Sequence, residues 1–234
     1  VSQLSDIVAA LRHKEQYHVL RQPIYNLKNK SKVGYEFLSR FSVPGIELPD
    51  DFFRVCLENN ILTLVDRQCL KNCVNASSDL PAGIKRHLNL FPSTMIDIPS
   101  RNLLQTFGDG SMNGSFCIEI SEQQIIGDPS YLIESVSAMK KCGISIAIDD
   151  VGFGRSCLES LILLEPDIVK IDKKLVNGLA KNSWCERSLN RLLKVTDALG
   201  TEVIAEGIET QEDMDALVSL GVKYGQGYFL GRPA

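Results

Sequence analysis

Acidic and amide residues sit near the ends of short apolar runs along this chain: Glu36 in VGYEFLSR, Asn89 in HLNLF, Glu119 in FCIEI, Asp149 and Asp150 in ISIAIDD, and Glu206 in EVIAEGIE. Lys170 in DIVKID and Gln226 in YGQGYF share the habit. A carboxylate drawn into an apolar segment loses its hydration, so it needs a metal ion or a cationic side chain beside it. Oxygen donors of this kind suit hard cations, Mg²⁺ or Mn²⁺, rather than zinc or copper. Adjacent aspartates on a regular strand face opposite sides, but at a strand's carboxyl end the chain bends and both can reach one site. A carboxylate such as Asp149 then bridges two cations ~3.5–4 Å apart, an arrangement that serves phosphodiester hydrolysis.

Each residue alone has a plainer explanation. Glu36 could pair with Arg40 on an edge strand, Asn89 could be a satisfied strand-end amide, and Glu119 and Glu122 could face solvent. Asp149 and Asp150 could cap the helix that follows. Lys170, between Val169 and Ile171, resists such a reading, because a buried ammonium needs carboxylates around it. The combined order and spacing carry the argument.

The elements that must position these groups follow from hydrophobic periodicity. HVLRQPIYNL and KVGYEFLSRF read as two strands joined by the polar turn KNKS. Residues 51–78 read as helix with a break in the middle. Strands HLNLF and FCIEIS follow; Asp128-Pro129 opens a helix closed by Gly143. ISIAIDD, DIVKID, EVIAEGIE and YGQGYFL are the remaining strands, separated by helices around 182–199 and at QEDMDALVSL, the latter with Thr210 and Asp213 in a capping arrangement. Alternating strands and helices call for a parallel sheet. The polar positions recur 20 to 53 residues apart, so most gaps fit one βα unit. A barrel gathers groups from the carboxyl ends of many strands, whereas an open sheet gathers them at one switch point.

The 234 residues suit a single domain, 1–234, of barrel size, with 44% hydrophobic and 23% charged residues. A net charge of −4 argues against the basic stripe of a duplex-binding surface, while leaving local phosphate binding through bound cations open. No apolar stretch reaches the length of a membrane span, and the N-terminus does not read as a signal peptide. Seven cysteines without a CxxC pair read as reduced core thiols of a cytoplasmic protein. Three histidines, His13, His18 and His87, have no zinc-like spacing. The first residue is Val1, which leaves room for a regulatory domain outside the chain.

Taken together, RQPIYNL, EFLSR, HLNLF, CIEISE, IAIDDVGFG, IVKID, VIAEGIET and QGYFLGRP resemble, over nearly the whole length, the EAL-domain phosphodiesterases that degrade the bacterial second messenger cyclic di-GMP. The resemblance implies a TIM-like (β/α)₈ barrel with an antiparallel first strand, which agrees with the N-terminal hairpin. It implies that Glu36, Asn89, Glu119 and Asp149 hold one metal ion, and that Asp149, Asp150 and Glu206 serve a second. Lys170 and Gln226 would orient the attacking water, with Glu206 the main side-chain candidate for its base. Arg40 would contact a substrate phosphate, Asp150 and Gln22 would line the same groove, and Glu122 would steady the loop after Asp150. A homodimer, and hydrolysis of cyclic di-GMP to linear pGpG, are implied in the same way.

The match departs from the family's pattern at Phe37, where Ala is usual, and in the loop VGFGRSC, through Val151, Phe153, Arg155 and Cys157. Phe37 predicts overpacking beside Glu36. The altered loop keeps open a second reading, a degenerate domain that binds cyclic di-GMP or a partner protein without hydrolysis. Every ligand position is filled, which favours the enzyme. A two-carboxylate glycosidase would leave Asn89, the Asp pair and Lys170 unexplained.

Overall fold

The computed structural model describes Ile7 and residues 17–43, 45–46, 48–108, 115–152 and 157–234. Two strands, β1 (Tyr17–Asn26) and β2 (Lys32–Phe41), form an antiparallel hairpin whose turn is held by Asn26 Oδ1, which accepts from the Lys28 and Asn29 amides. Helices α1 (Pro49–Glu58) and α2 (Leu62–Ala76) follow, broken at Asn59–Asn60. Then come β3 (Lys85–Asn89), α3 (Pro92–Asp97), α4 (Ser100–Leu104), β4 (Phe116–Ser121), α5 (Ile133–Lys141) and β5 (Ser145–Val151). The series ends with α6 (Cys157–Leu164), β6 (Ile168–Ile171), α7 (Lys173–Val176), α8 (Ser183–Leu199), β7 (Glu202–Ala205), α9 (Gln211–Ser219) and β8 (Tyr224–Gly225).

The strands close in chain order into a barrel; β2 to β8 run parallel, and β1 is antiparallel to both of its neighbours. Side chains alternate across each strand. Outward-facing Leu88, Ile118, Ile120, Ile146, Ile148, Val169 and Ile171 pack against helix residues such as Leu70, Met139, Leu161, Leu189 and Leu217, all buried. The inward set begins with an apolar floor of Ile24, Cys117, Ala147, Ile168 and Ile204. One inward step further toward the carboxyl ends lie Glu119, Asp149, Lys170 and Glu206, each two residues beyond its floor residue. On β1 the same step runs backwards, from Ile24 to Gln22, as the antiparallel strand requires.

Three expectations are corrected here. Phe37 does not crowd Glu36: alternation sends it to the outer face of β2, where it is buried in the barrel–helix core under the Arg21 guanidinium. The last strand is only Tyr224–Gly225 rather than YGQGYFL. Past it the chain turns against Ile208, and a Cβ on Gly227 would lie 2.2 Å from the Ile208 backbone. Third, Asp128-Pro129 starts a 3₁₀ turn, Pro129–Leu132, and the α-helix begins only at Ile133. Phe153, Gly154, Arg155 and the Cys157 side chain lie outside the described residues. Six described cysteines carry free thiols, five of them buried and Cys142 exposed. Among the described residues, no helix is long and apolar enough to cross a membrane.

Candidate active site

Lys170 is fully buried at the centre of the barrel mouth. Its Nζ lies 2.8 Å from Glu119 Oε2, 2.8 Å from Glu206 Oε1, 3.3 Å from Glu36 Oε2 and 3.3 Å from Asp149 Oδ2. Gln226 Nε2 donates to Glu36 Oε2 at 2.7 Å and to Glu206 Oε1 at 2.8 Å. Asn89 Nδ2 donates to Glu36 Oε1 at 3.1 Å. Gln226 Oε1 is buried without a hydrogen-bond partner, an acceptor left over inside the cluster. Strands β2 to β6 and the residues just after β7 and β8 thus each place a polar group in one cup.

The two aspartates reach the cup together because β5 carries a bulge. Ile148 pairs with Val169 and Val151 with Ile171, so three residues advance on β5 while two advance on β6. Asp150 takes up the extra residue with φ of 59°, a left-handed conformation that Asp tolerates better than most side chains. The Asp150 amide donates to Asp149 Oδ1 at 2.8 Å, and Ser121 Oγ donates to Asp150 Oδ2 at 3.1 Å. Val151, past the bulge, returns to the apolar layer, fully buried.

One ammonium facing four carboxylates leaves an excess of negative charge in a site of low polarity. Burial pushes the Glu119 carboxyl well above the usual range despite Lys170. Burial and the neighbouring Asp149 raise Glu206, and burial raises Asp149. Glu36 differs: burial raises it, but Lys170, Gln226 and Asn89 outweigh that and hold it below its ordinary value. Burial opposes the charge on Lys170, yet the surrounding carboxylates keep its pKa well above normal.

Those raised carboxyls are what a hard divalent cation relieves. Carboxylate oxygens of Glu36, Glu119 and Asp149 lie within 4.8 Å of one another, as do those of Asp149, Asp150 and Glu206. The all-oxygen donor set and the uncompensated charge fit Mg²⁺ or Mn²⁺.

The cup opens into a cleft of about 550 Å³ lined by Glu36, Arg40, Phe53, Asn89, Glu119 and Asp150, among others. Arg40 stands four residues beyond Glu36 on the same face of β2, its Nη1 donating to the Ser39 carbonyl at 2.9 Å. Gln22 pairs in register with Glu36 but is buried and donates to the Gly231 carbonyl, off the residues lining the cleft. Glu122 is buried at the start of a 3₁₀ turn directly after β4.

Two residues near the site were not legible as part of it. His87 Nδ1 lies 2.8 Å from Glu119 Oε1, and burial lowers its pKa to about 3. Its signal was phase, since it precedes Asn89 by two and so faces inward.

Asp66 on α2 lines the cleft, its Oδ2 accepting the Phe91 amide at 3.0 Å. Burial raises its pKa from 3.8 to about 7. A raised carboxyl contributes stability that is complete below its unfolded pKa and is lost as pH rises through the folded one. Asp66→Asn keeps an acceptor for Phe91 and removes that titration. Urea unfolding at pH 5 and pH 8 is therefore expected to show the wild type losing on the order of 2–4 kcal/mol relative to the variant.

Comparison with known proteins adds a family. The model described as EAL domain matches residues 5–233. The probable cyclic di-GMP phosphodiesterase PdeA of Escherichia coli strain K12 is 32% identical over 220 residues, covering 91% of this chain and 30% of that relative. The chain therefore spans less than a third of PdeA's length. The EAL enzyme Bd1971, solved with cAMP and cyclic di-GMP bound, superposes with a TM-score of 0.81 at 25% identity, covering all of this chain and 66% of the other. A standalone EAL protein of Vibrio cholerae O395, solved with c-di-GMP bound, gives 0.77 at 25% identity over 93% of this chain and 92% of the other.

Proposed function

Since this chain belongs to the EAL domain family, we propose that it hydrolyses one phosphodiester of cyclic di-GMP, giving linear pGpG, with Mg²⁺ or Mn²⁺ as cofactor. The observation that carries this reading is the convergence of Glu36, Glu119, Asp149 and Glu206 on Lys170, with no expected ligand position substituted. Glu36, Asn89, Glu119 and Asp149 would hold one ion, and Asp149, Asp150 and Glu206 a second. Bound there, such ions would neutralise phosphoryl oxygens and lower the pKa of a bound water.

The remaining work falls to side chains. Lys170 stays protonated at Nζ and spreads its charge over four carboxylates, holding them at hydrogen-bond distance despite their mutual repulsion. Gln226 fixes Glu36 and Glu206 through Nε2 and leaves Oε1 to accept a proton donor, the attacking water. Glu206, with its raised pKa, takes the proton at Oε1 or Oε2. Arg40 at the cleft wall binds a substrate phosphate, and Asp150 meets the substrate from the bulge. Gln22 supports the rim through Gly231, and Glu122 steadies the loop after Asp150. Free thiols in all six described cysteines support a cytoplasmic setting. A homodimer and a regulatory domain outside the chain belong to the same reading.

The test is incubation with cyclic di-GMP and Mg²⁺ or Mn²⁺, with chromatography for pGpG. Metal-dependent pGpG, absent with EDTA and in Glu36→Ala, is the expected result. Intact cyclic di-GMP that still binds by calorimetry would make the protein a receptor and turn attention to the loop that begins at Val151.

A further inference from the structure

His87 takes no part in the roles assigned so far. It lies on β3 in register with Glu36, two residues before Asn89, so its ring points into the barrel beneath the cup. Nδ1 stands 2.8 Å from Glu119 Oε1, and the two side chains are 3% and 0% exposed. The other oxygen, Glu119 Oε2, lies 2.8 Å from Lys170 Nζ. One carboxylate is therefore shared between a partner below it and a partner in the site. The terminal torsion of a glutamate is soft and broad, so something must set which oxygen faces the cup.

We propose that His87 is a positioning residue, donating Nδ1–H to Glu119 Oε1 so that Oε2 alone is presented to the cation. The proposal rests on the metal-dependent reading above. The ring is well placed for this task. It borders a small cavity of about 100 Å³ whose lining includes Ile24, Ile168 and Ile204 along with Lys85, Glu202 and Tyr224, and it is itself only 2% exposed. Its hold on Glu119 is therefore not diluted by solvent. The plainer reading, a core histidine that merely finds a partner, predicts a loss of stability and nothing more. Partners that orient metal ligands instead shift metal affinity, commonly by about 10–100-fold.

The experiment is calorimetric titration of the full chain with Mn²⁺, for wild type, His87→Leu and His87→Asn, with thermal unfolding of each metal-free protein alongside. His87→Leu is expected to weaken Mn²⁺ binding by about 10–100-fold. His87→Asn, whose side-chain N–H can stand where Nδ1–H stood, is expected to recover most of that loss. Equal Mn²⁺ affinity in wild type and His87→Leu overturns the proposal, whatever the change in unfolding temperature. A wild type that binds no Mn²⁺ defeats the metal-dependent reading itself, and this proposal with it. If His87→Leu does not fold, nitrogen-15 NMR of the Mg²⁺-loaded wild type decides. A proton on Nδ1 is expected; a ring protonated only at Nε2, accepting from a neutral Glu119, overturns the assignment.

Discussion

Asp149→Ala is expected to reduce cyclic di-GMP hydrolysis by ~10²–10³-fold, the scale on which removing one preorganised charge-stabilising group from an active site is felt. Asp149 is the only residue present in both acidic groups, the one with Glu36 and Glu119 and the one with Asp150 and Glu206. Its loss therefore disables both at once. It also removes the acceptor of the Asp150 amide, freeing the bulge that aims Asp150. The barrel should survive, because Lys170 keeps Glu36, Glu119 and Glu206. Ser121→Ala is the informative companion: it removes one hydrogen bond to Asp150, worth ~0.5–1.5 kcal/mol, and should slow turnover by no more than about tenfold. Quantified pGpG formation checks both. An Asp149→Ala protein within tenfold of wild type would defeat the shared-ligand arrangement.

Removing divalent cations is expected to make stability fall as pH rises from 5 to 8, and saturating Mg²⁺ to restore more at pH 8 than at pH 5. Glu119, Asp149 and Glu206 have folded pKa values raised above 4.5, 3.8 and 4.5 respectively. Their contributions are complete below those values and decline as pH climbs through the raised ones. Two groups work differently. Glu36, held low, contributes above 4.5 and loses that only in acid; Lys170, held above 10.5, keeps its contribution across the whole window. The decline between pH 5 and 8 thus belongs to the three raised carboxyls and to Asp66, partly offset by His87, whose pKa is held low. The share of the cup is therefore read in the Asp66→Asn background. A cation at 100 to 1,000 times its Kd adds about 2.7–4.1 kcal/mol, read as a rise in unfolding temperature against an EDTA control. A metal-free protein that is equally stable at both pH values would contradict the charge excess inferred for the cup.

Much of this was legible in the sequence because the barrel repeats one rule. A polar residue placed two positions after a small or apolar inward residue, as in Cys117 to Glu119, Ala147 to Asp149, Ile168 to Lys170 and Ile204 to Glu206, names its own face. The resemblance then supplied the antiparallel first strand and the closure. What was not legible depended on contacts distant in sequence. The alternation in YGQGYFL looks like a strand, yet the backbone of Ile208 lies where strand continuation would go. Phe37 looks dangerous beside Glu36 until the outer face of β2 is seen to have room for it. The short helices α3 and α4 escaped because each offers little apolar periodicity; Pro92 at the first turn of α3 was the available sign. His87 offers no zinc-like or triad spacing in the sequence, and its meaning appears once Glu119 is seen above it.

The bulge in β5 has one more implication. It is a single inserted residue, and everything on either side of it is in regular register: Ile148 with Val169, Val151 with Ile171. Deleting residue 150 would restore an ordinary strand, leave Asp149 facing inward and leave Val151 in its apolar place. The cup would keep Glu36, Glu119 and Asp149 while losing the second acidic group. On the two-ion reading proposed above, the difference between one acidic group and two is, in this chain, a single codon. Its gain or loss disturbs no other pairing, so catalytic capacity can be altered in evolution almost independently of the fold.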